Sequence, residues 1–405
     1  MIRIKEKEKC CGCTACYSIC PKKCIKMVED SEGFLYPEVN ITECIECHAC
    51  EKVCPISNKH GEELKDTWYT VIQNTNEKIR YESTAGGVFS TLAEQIFAEG
   101  GVVFAVGYDD NSNVVHKKAT TSAQLKEMRG SKYVQSDLLD IFTQDKACLD
   151  DKVKTLFVGT PCQVHGLINY VGKSECLYTI DLLCLGVSSP GLFRRYISYL
   201  NQKYHKKVAS VEFRNKYFGY ATPNVRINFI DGKFLQQRYD AKVHANLFFK
   251  GHRSARPSCY ECEFREIPRV SDFTIGDCVS IGSIDKSMDD NLGTTKCWIH
   301  TAKVRALLKA AEDKKMLVLE EHASNIQGGP KKQIPYPKDR ELFFTDGFSM
   351  EYAKFIHKWQ PCKVKDSVAC IVRYILHYIP FGTAVSKKLR QRQAKLYEKK
   401  VKQVN

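Results

Sequence analysis

Cys10-Cys11-Gly12-Cys13-Thr14-Ala15-Cys16-Tyr17-Ser18-Ile19-Cys20-Pro21 and Cys44-Ile45-Glu46-Cys47-His48-Ala49-Cys50-Glu51-Lys52-Val53-Cys54-Pro55 share one pattern. Each is a Cys-x2-Cys-x2-Cys-x3-Cys-Pro run, and the pair is an internal repeat. The two-residue gaps let three sulfurs converge on one cubane, while the fourth cysteine serves the other cluster. The spacing therefore predicts two [4Fe-4S] clusters, one on Cys10, Cys13, Cys16 and Cys54, the other on Cys44, Cys47, Cys50 and Cys20. Cys-x2-Cys pairs also build zinc ribbons, but a complete double run with both prolines sets zinc aside. Cys11 and Cys24 fall outside the spacing and read as small buried residues.

Working outward, residues 1–56 form this cluster-binding unit, and the polar stretch 57–66 reads as a linker. The 405 residues suffice for two or three domains. Ten of the twenty cysteines precede residue 55, and the opening residues show no secretory pattern. Clustered cysteines with no such signal point to a reducing, cytoplasmic setting, where they hold metal more often than they form disulfides. The formal net charge is +14, but half of it comes from the tail between Lys387 and Lys402. No nucleic-acid reading module accompanies it, so no nucleic-acid partner is expected.

From 67 to 323 the pattern alternates between strands and helices. Trp68–Gln73, Val102–Tyr108, Leu156–Val158, Tyr178–Cys184, Val208–Phe213 and Asn224–Phe229 read as strands. Gly86–Glu99, Pro190–Leu200 and Lys303–Lys315 read as helices, and Asp231-Gly232 as a turn. The expected class is α+β: a ferredoxin-like unit followed by a mixed α/β domain. Residues 324–405 read as an extension, rich in proline and aromatic residues at its start. Within it, Val368–Ile379 is apolar apart from Arg373 and His377, and a basic tail follows Pro380. Twelve residues are too few to span a bilayer. The segment is a candidate for peripheral membrane contact, set against docking on the protein's own core.

Cys162 follows a short strand in Gly159-Thr160-Pro161-Cys162-Gln163. Cys184 ends another strand, and Cys259 and Cys262 form a Cys-x2-Cys pair after Arg256-Pro257-Ser258. On spacing alone, these four stand open between ligands of a third [4Fe-4S] cluster and buried structural thiols.

The chain resembles the family of coenzyme F-420 hydrogenase/dehydrogenase beta subunits, which includes hydroxymethyl-chlorophyll reductases. The resemblance rests on six segments in order: Ser83-Thr84-Ala85-Gly86-Gly87-Val88-Phe89-Ser90, Arg129-Gly130-Ser131-Lys132-Tyr133-Val134-Gln135-Ser136, Gly159 to Gln163, Asp181 to Gly186, Arg256 to Cys262, and Ser271 to Asp277. It implies a flavin, FAD or FMN, in the central domain beside a third cluster on Cys162, Cys184, Cys259 and Cys262. It also implies flavin contacts at Ser83, Thr84, Gly86, Gly87, Val88, Arg129, Ser131, Lys132 and Tyr133. The glycines would let backbone N–H groups approach a phosphate at a helix N-terminus. Arg129 and Lys132 would supply positive charge. Asp272 and Asp277 are expected to shape a nearby loop. Cys148, Cys176, Cys278, Cys297, Cys362 and Cys370 match no ligand position. Where relatives carry His-Gly after the cysteine matching Cys184, this chain has Leu185-Gly186.

The function implied is that of an iron–sulfur flavoprotein oxidoreductase. It would take electrons from ferredoxin or a similar donor and serve a small-molecule substrate, a deazaflavin coenzyme included. Two further readings are a non-catalytic electron-transfer subunit docked on a partner enzyme, and a membrane-associated oxidoreductase acting on a polysaccharide or lipid-linked intermediate. No catalytic side chain stands out, since the chemistry belongs to the cofactors.

Overall fold

The computed structural model describes residues 1–58, 67–236, 238–267, 269–321 and 333–361, with the isolated positions 372 and 375. Most of the 57–66 linker, the apolar stretch 368–379 and the basic tail therefore lie outside the described residues. Among the described residues, no helix is long and apolar enough to cross a membrane.

The two cysteine runs flank an antiparallel hairpin of β1 (Ile25–Glu29) and β2 (Leu35–Val39). The repeat is visible in the backbone itself. Gly12 and Thr14 in the first run have φ of 69° and 63°, and Glu46 and His48 in the second have 52° and 57°. Left-handed residues alternating in this way turn successive N–H groups toward a common point, a concavity suited to an anionic group. Three of the four are not glycine, so the turn accepts strain to aim those donors.

The remaining strands are β3 (Trp68–Asn74), β4 (Val102–Tyr108), β5 (Val114–Ala119), β6 (Thr155–Gly159), β7 (Leu177–Leu182), β8 (Val208–Asn215), β9 (Asn224–Phe229), β10 (Phe234–Gln236), β11 (Phe273–Asp277), β12 (Thr295–Ile299) and β13 (Leu317–Glu321). Eight of them form a mixed sheet in the order β13-β3-β12-β11-β7-β6-β4-β5. Strands β4, β6, β7 and β11 are mutually parallel. Two antiparallel steps, through β12, bring β3 into the same direction as β11. The C-terminal ends of these five strands thus share one edge, the edge where open α/β sheets bind ligands.

Alternation along β4 shows why both faces are covered. Val103 and Ala105 pack with Leu92 and Ile96 of the helix Val88–Ala98. Val102 and Phe104 face the other way, onto Val164 and Leu167 of the helix Pro161–Val171. Cys13, Ala15 and Val53 join that second core, so the cysteine-rich unit is packed against the sheet domain. Strands β8–β10 form a separate antiparallel sheet, with Gly232 at the β9–β10 turn in a left-handed conformation (φ 78°). Its core includes Phe343 and Phe355 from the helices Arg340–Ser349 and Tyr352–Trp359. Residues 340–359 are therefore part of the main body, although the sequence suggests an extension beginning at 324. Arg340, buried, reaches the Glu32 carboxylate through two N–H groups at 2.7 and 2.6 Å, anchoring the β1–β2 turn.

The docking is tight where the helix backbone meets the Cys13 side chain. A Cβ on Gly166 would lie 2.8 Å from the Cys13 sulfur and 2.9 Å from its Cβ. Gly166→Val is expected to cost about 1–3 kcal/mol by overpacking, read as a lowered midpoint in anaerobic denaturant unfolding. An unchanged midpoint would contradict this contact.

Candidate functional site

The sequence around Cys162 builds a helix start. Thr160 caps the helix Pro161–Val171 in a reciprocal box with Gln163, whose Oε1 accepts from the Thr160 N–H at 3.0 Å, and Pro161 occupies the first turn. Cys162 is thereby fixed just beyond the C-terminal end of β6. Cys184 lies just beyond the neighbouring β7. The strand ends at Leu182, two residues sooner than the pattern suggests, and this leaves the Cys184 side chain free of the sheet. The Gly186 N–H donates to the Cys184 sulfur at 3.3 Å. Cys259 closes a short 3-10 turn, Pro257–Cys259. Its sulfur lies 3.6 Å from where a Gly186 Cβ would be.

Cys162, Cys184, Cys259 and Cys262 line one cavity of about 710 Å³. Burial, with the neighbouring Cys162 adding to it, pushes the Cys184 thiol up to about 12 and the Cys262 thiol up to about 11. Neutral thiols of this kind become thiolates when a metal centre supplies the compensating charge. Among the described residues, no three His, Cys, Asp or Glu side chains are gathered closely enough for a single ion. The four thiols line one shared space, and four sulfur donors are the set that a [4Fe-4S] group takes. Cys11 lines the same cavity. Its thiol is within hydrogen-bonding reach of both Cys13 and Cys162.

The N-terminal cysteines also separate into two cavities. Cys10, Cys13, Cys16 and Cys54 line one of about 340 Å³, and Cys20, Cys44, Cys47 and Cys50 line another of about 350 Å³. Cys24 is buried, its sulfur 3.4 Å from that of Cys20.

The strand that leads to Cys184 is held by a buried charge pair. Arg269 donates to Asp181 at 2.8 Å, and Thr274 and Ser271 add hydroxyl donors at 2.6 and 3.0 Å. Asp272 does not reach the cavity. It accepts from the Thr179 N–H and hydroxyl at 2.8 and 2.9 Å and ties β11 to β7.

The two glycine-containing segments expected to meet a flavin do meet each other. The Ser131 N–H donates to the Thr84 hydroxyl oxygen at 2.7 Å. Gly86 is wedged against the sheet, where a Cβ would approach Ile72 O to 2.1 Å. Gly87 (φ 83°) begins the helix Val88–Ala98, which has no side-chain cap. The two cations are spent on the loops themselves. Arg129 bonds Glu82 at 2.5 Å and Ser90 Oγ at 2.9 Å, and Lys132 donates to the Glu127 and Arg129 carbonyls at 2.9 Å. Burial pushes the Lys132 amine down to about 7.

Residues that sequence reasoning missed fill in around these loops. Lys216, buried, donates to the Arg80, Ala85 and Leu292 carbonyls at 2.5, 2.9 and 2.6 Å. Arg214 pairs with Asp277 at 2.7 Å and lies 3.5 Å from the Tyr133 hydroxyl. Among the described residues, buried Arg214 Nε and the Tyr220 hydroxyl have no hydrogen-bond partner. Orphaned donors beside glycine loops at the ligand-binding edge fit a polar cofactor. Tyr133 links the two regions, because its carbonyl accepts from the Ser188 hydroxyl at 2.8 Å and Ser188 lies on the segment following Cys184.

The model for the N-terminal part of coenzyme F420 hydrogenase/dehydrogenase beta subunits matches residues 69–143, and that for their C-terminal part matches residues 153–325. A 4Fe-4S dicluster domain matches residues 9–58. The chain belongs to the family of coenzyme F420 hydrogenase/dehydrogenase beta subunits. It is thus a member of a family of oxidoreductase subunits, with an N-terminal domain for two [4Fe-4S] clusters. Among curated relatives, a subunit of the F(420)H(2) dehydrogenase of Methanosarcina mazei is 24% identical over 69% of this chain and 78% of its own length. A 7Fe ferredoxin of Hydrogenibacillus schlegelii is 36% identical over 17% of this chain and 87% of its own. A chain of the F420-reducing [NiFe] hydrogenase complex from Methanosarcina barkeri superposes with a TM-score of 0.44 at 16% identity, covering 74% of this chain and 94% of that one.

Removing Arg269 would leave Asp181 as an unpaired buried charge. Arg269→Met is expected to lower stability by about 3–5 kcal/mol, measured by denaturant unfolding. Replacing both residues with apolar ones of similar volume should recover much of that loss.

Proposed function

We propose that this chain is an iron–sulfur flavoprotein oxidoreductase that exchanges single electrons with a ferredoxin-type donor and electron pairs with an organic substrate, a deazaflavin coenzyme being the leading candidate. The observation that carries this reading is the convergence of Cys162, Cys184, Cys259 and Cys262 on one cavity, directly against the first cysteine run and on the same sheet edge as the glycine loops. Those four cysteines would hold a third [4Fe-4S] cluster, with the Arg269–Asp181 pair fixing the strand behind Cys184.

The flavin, FAD or FMN, would be held by Ser83, Thr84, Gly86, Gly87, Val88, Ser131 and Tyr133. Such a group, when bound, converts one-electron traffic into two-electron chemistry. Gly87 and the uncapped helix behind it would receive a phosphate. Lys216 holds the Ala85 carbonyl and so keeps that loop pressed to the sheet. Arg129 and Lys132, already engaged, act as loop anchors. Arg214, paired with Asp277 but with its Nε unpartnered among the described residues, would be a further cation beside the ring system.

A second reading is that of an electron-transferring subunit docked on a partner enzyme. The relative from Methanosarcina mazei, named as a subunit of an F(420)H(2) dehydrogenase, favours it. Ile41 and Ile45, exposed at the second cysteine run, offer a contact surface.

Anaerobically purified protein is expected to contain about twelve irons and one flavin per chain. Cys259→Ser should lose about four irons, and Gly87→Leu should lose flavin while the iron of the N-terminal sites remains. About eight irons in the unsubstituted chain, or unchanged iron in Cys259→Ser, would remove the third cluster from this reading. Full flavin occupancy in Gly87→Leu would remove the assigned pocket.

A further inference from the structure

Arg256 sits at the junction of the first cysteine run and the third cysteine cavity. It is 1% exposed and lines that cavity, yet its guanidinium is turned into the cysteine-rich unit. Nε donates to the Cys10 carbonyl at 2.8 Å, Nη2 to the Leu35 carbonyl at 3.0 Å, and Nη1 to Gln135 Oε1 at 2.8 Å. Nη2 also lies 3.6 Å from the Cys10 sulfur. Its carbon is 4.2 Å from the Tyr36 ring centre and 5.3 Å from that of Phe34. Gln135 closes the arrangement by donating to the Cys11 carbonyl at 3.0 Å.

These partners are carbonyls, an amide, a sulfur and two ring faces. None is a carboxylate. A guanidinium buried in this way is strongly disfavoured unless negative charge lies beside it, and here the sulfurs of Cys10 on one side and of the third cavity on the other are the available anions. No arginine lines the second cavity, although Lys22 does, and the Ile2 N–H donates to the Cys50 sulfur at 3.3 Å. Glu46 stands where the first run has Gly12, whose Cβ would come within 2.8 Å of Arg256 Nη1. Cys47 is exposed, and Ile45 and Ile41 are 57% and 64% exposed. The repeat is symmetric in backbone and asymmetric in surroundings, with the first site against a buried guanidinium that has no carboxylate partner and the second open to solvent at Cys47.

We propose that Arg256 is a positioning residue that, through its N–H toward the Cys10 sulfur, raises the reduction potential of the site formed by Cys10, Cys13, Cys16 and Cys54 above that of the site formed by Cys20, Cys44, Cys47 and Cys50, making it the inner member that communicates with the third cavity. Net charge and hydrogen bonds to sulfur are what set such potentials. The outer site takes one electron from an external ferredoxin-type donor, and that electron moves inward with no bond made or broken. The potential difference rests on clusters occupying the N-terminal sites. Only the onward transfer rests on the third cluster proposed above.

The test is an EPR-monitored redox titration of the full chain carrying Arg256→Met, Arg256→Lys or Gln135→Glu, with Cys47→Ser and Cys259→Ser to assign signals. The signal that survives in both Cys47→Ser and Cys259→Ser is expected to titrate at lower potential in Arg256→Met. Arg256→Lys should show a smaller shift in the same direction. Gln135→Glu should also lower it, because a carboxylate then pairs with the guanidinium while every packing contact of Arg256 is kept. If Arg256→Met loses iron, Gln135→Glu decides alone. An unmoved inner signal in Gln135→Glu, or a shift confined to the signal lost in Cys47→Ser, overturns the proposal. Iron content separates the two ideas. Twelve irons without a shift overturns the role of Arg256 only, whereas eight irons with the shift keeps that role and removes the third cluster.

Discussion

The geometry of this molecule depends on how closely two backbones approach. The helix that presents Cys162 can lie against Cys13 only because residue 166 has no side chain. A second contact of the same kind holds the β1–β2 turn, where the Gly191 N–H donates to the Gly33 carbonyl at 3.2 Å and the two α-carbons leave no room for a Cβ on either. Electron transfer between buried centres falls steeply with separation, so these missing methyl groups matter more than their small contribution to stability suggests. Burial by close contact also keeps water away from the sulfurs, and this strengthens every electrostatic interaction there.

The sheet supplies the second constraint. Five strands running one way put Asn74, Tyr108, Gly159, Leu182 and Asp277 at a common edge. Residues just beyond those strand ends can differ in chemistry and still be neighbours. Here thiols follow two of the ends and glycine loops lie beside another. A family that serves several substrates can vary the loops while the edge stays fixed.

What could be read from sequence follows the range of the interaction involved. The Cys-x2-Cys-x2-Cys-x3-Cys-Pro runs are local, and their spacing alone separates the eight cysteines into the two groups that line two cavities. Cys162, Cys184, Cys259 and Cys262 are spread over a hundred residues, and only the resemblance to a family drew them together, because convergence at a sheet edge leaves no mark on local spacing. Arg129 and Lys132 show the opposite difficulty. They have the right charge in the right segment, but the loop consumes both. Arg214 and Lys216 end a strand whose alternation was legible, yet nothing local says where long side chains reach. Strand β12 escaped notice because Thr295-Lys296-Cys297-Trp298-Ile299 mixes polar and apolar residues in a strand that is covered on both sides. The helices at 340–359 were hidden among prolines and aromatic residues whose partners lie far away in the chain.

The salt-bridged, glycine-seated attachment of the cysteine-rich unit turns a protein that usually diffuses into a fixed part of the machine. A free carrier meets its acceptor at a frequency set by its concentration in the cell. One fastened by Arg340 to Glu32 meets it at an effective concentration set by geometry alone. Dilution, crowding and competition from other acceptors then cease to govern the inner transfer. On the route proposed above, the encounter left to chance is the one at the solvent-facing end, around Cys47.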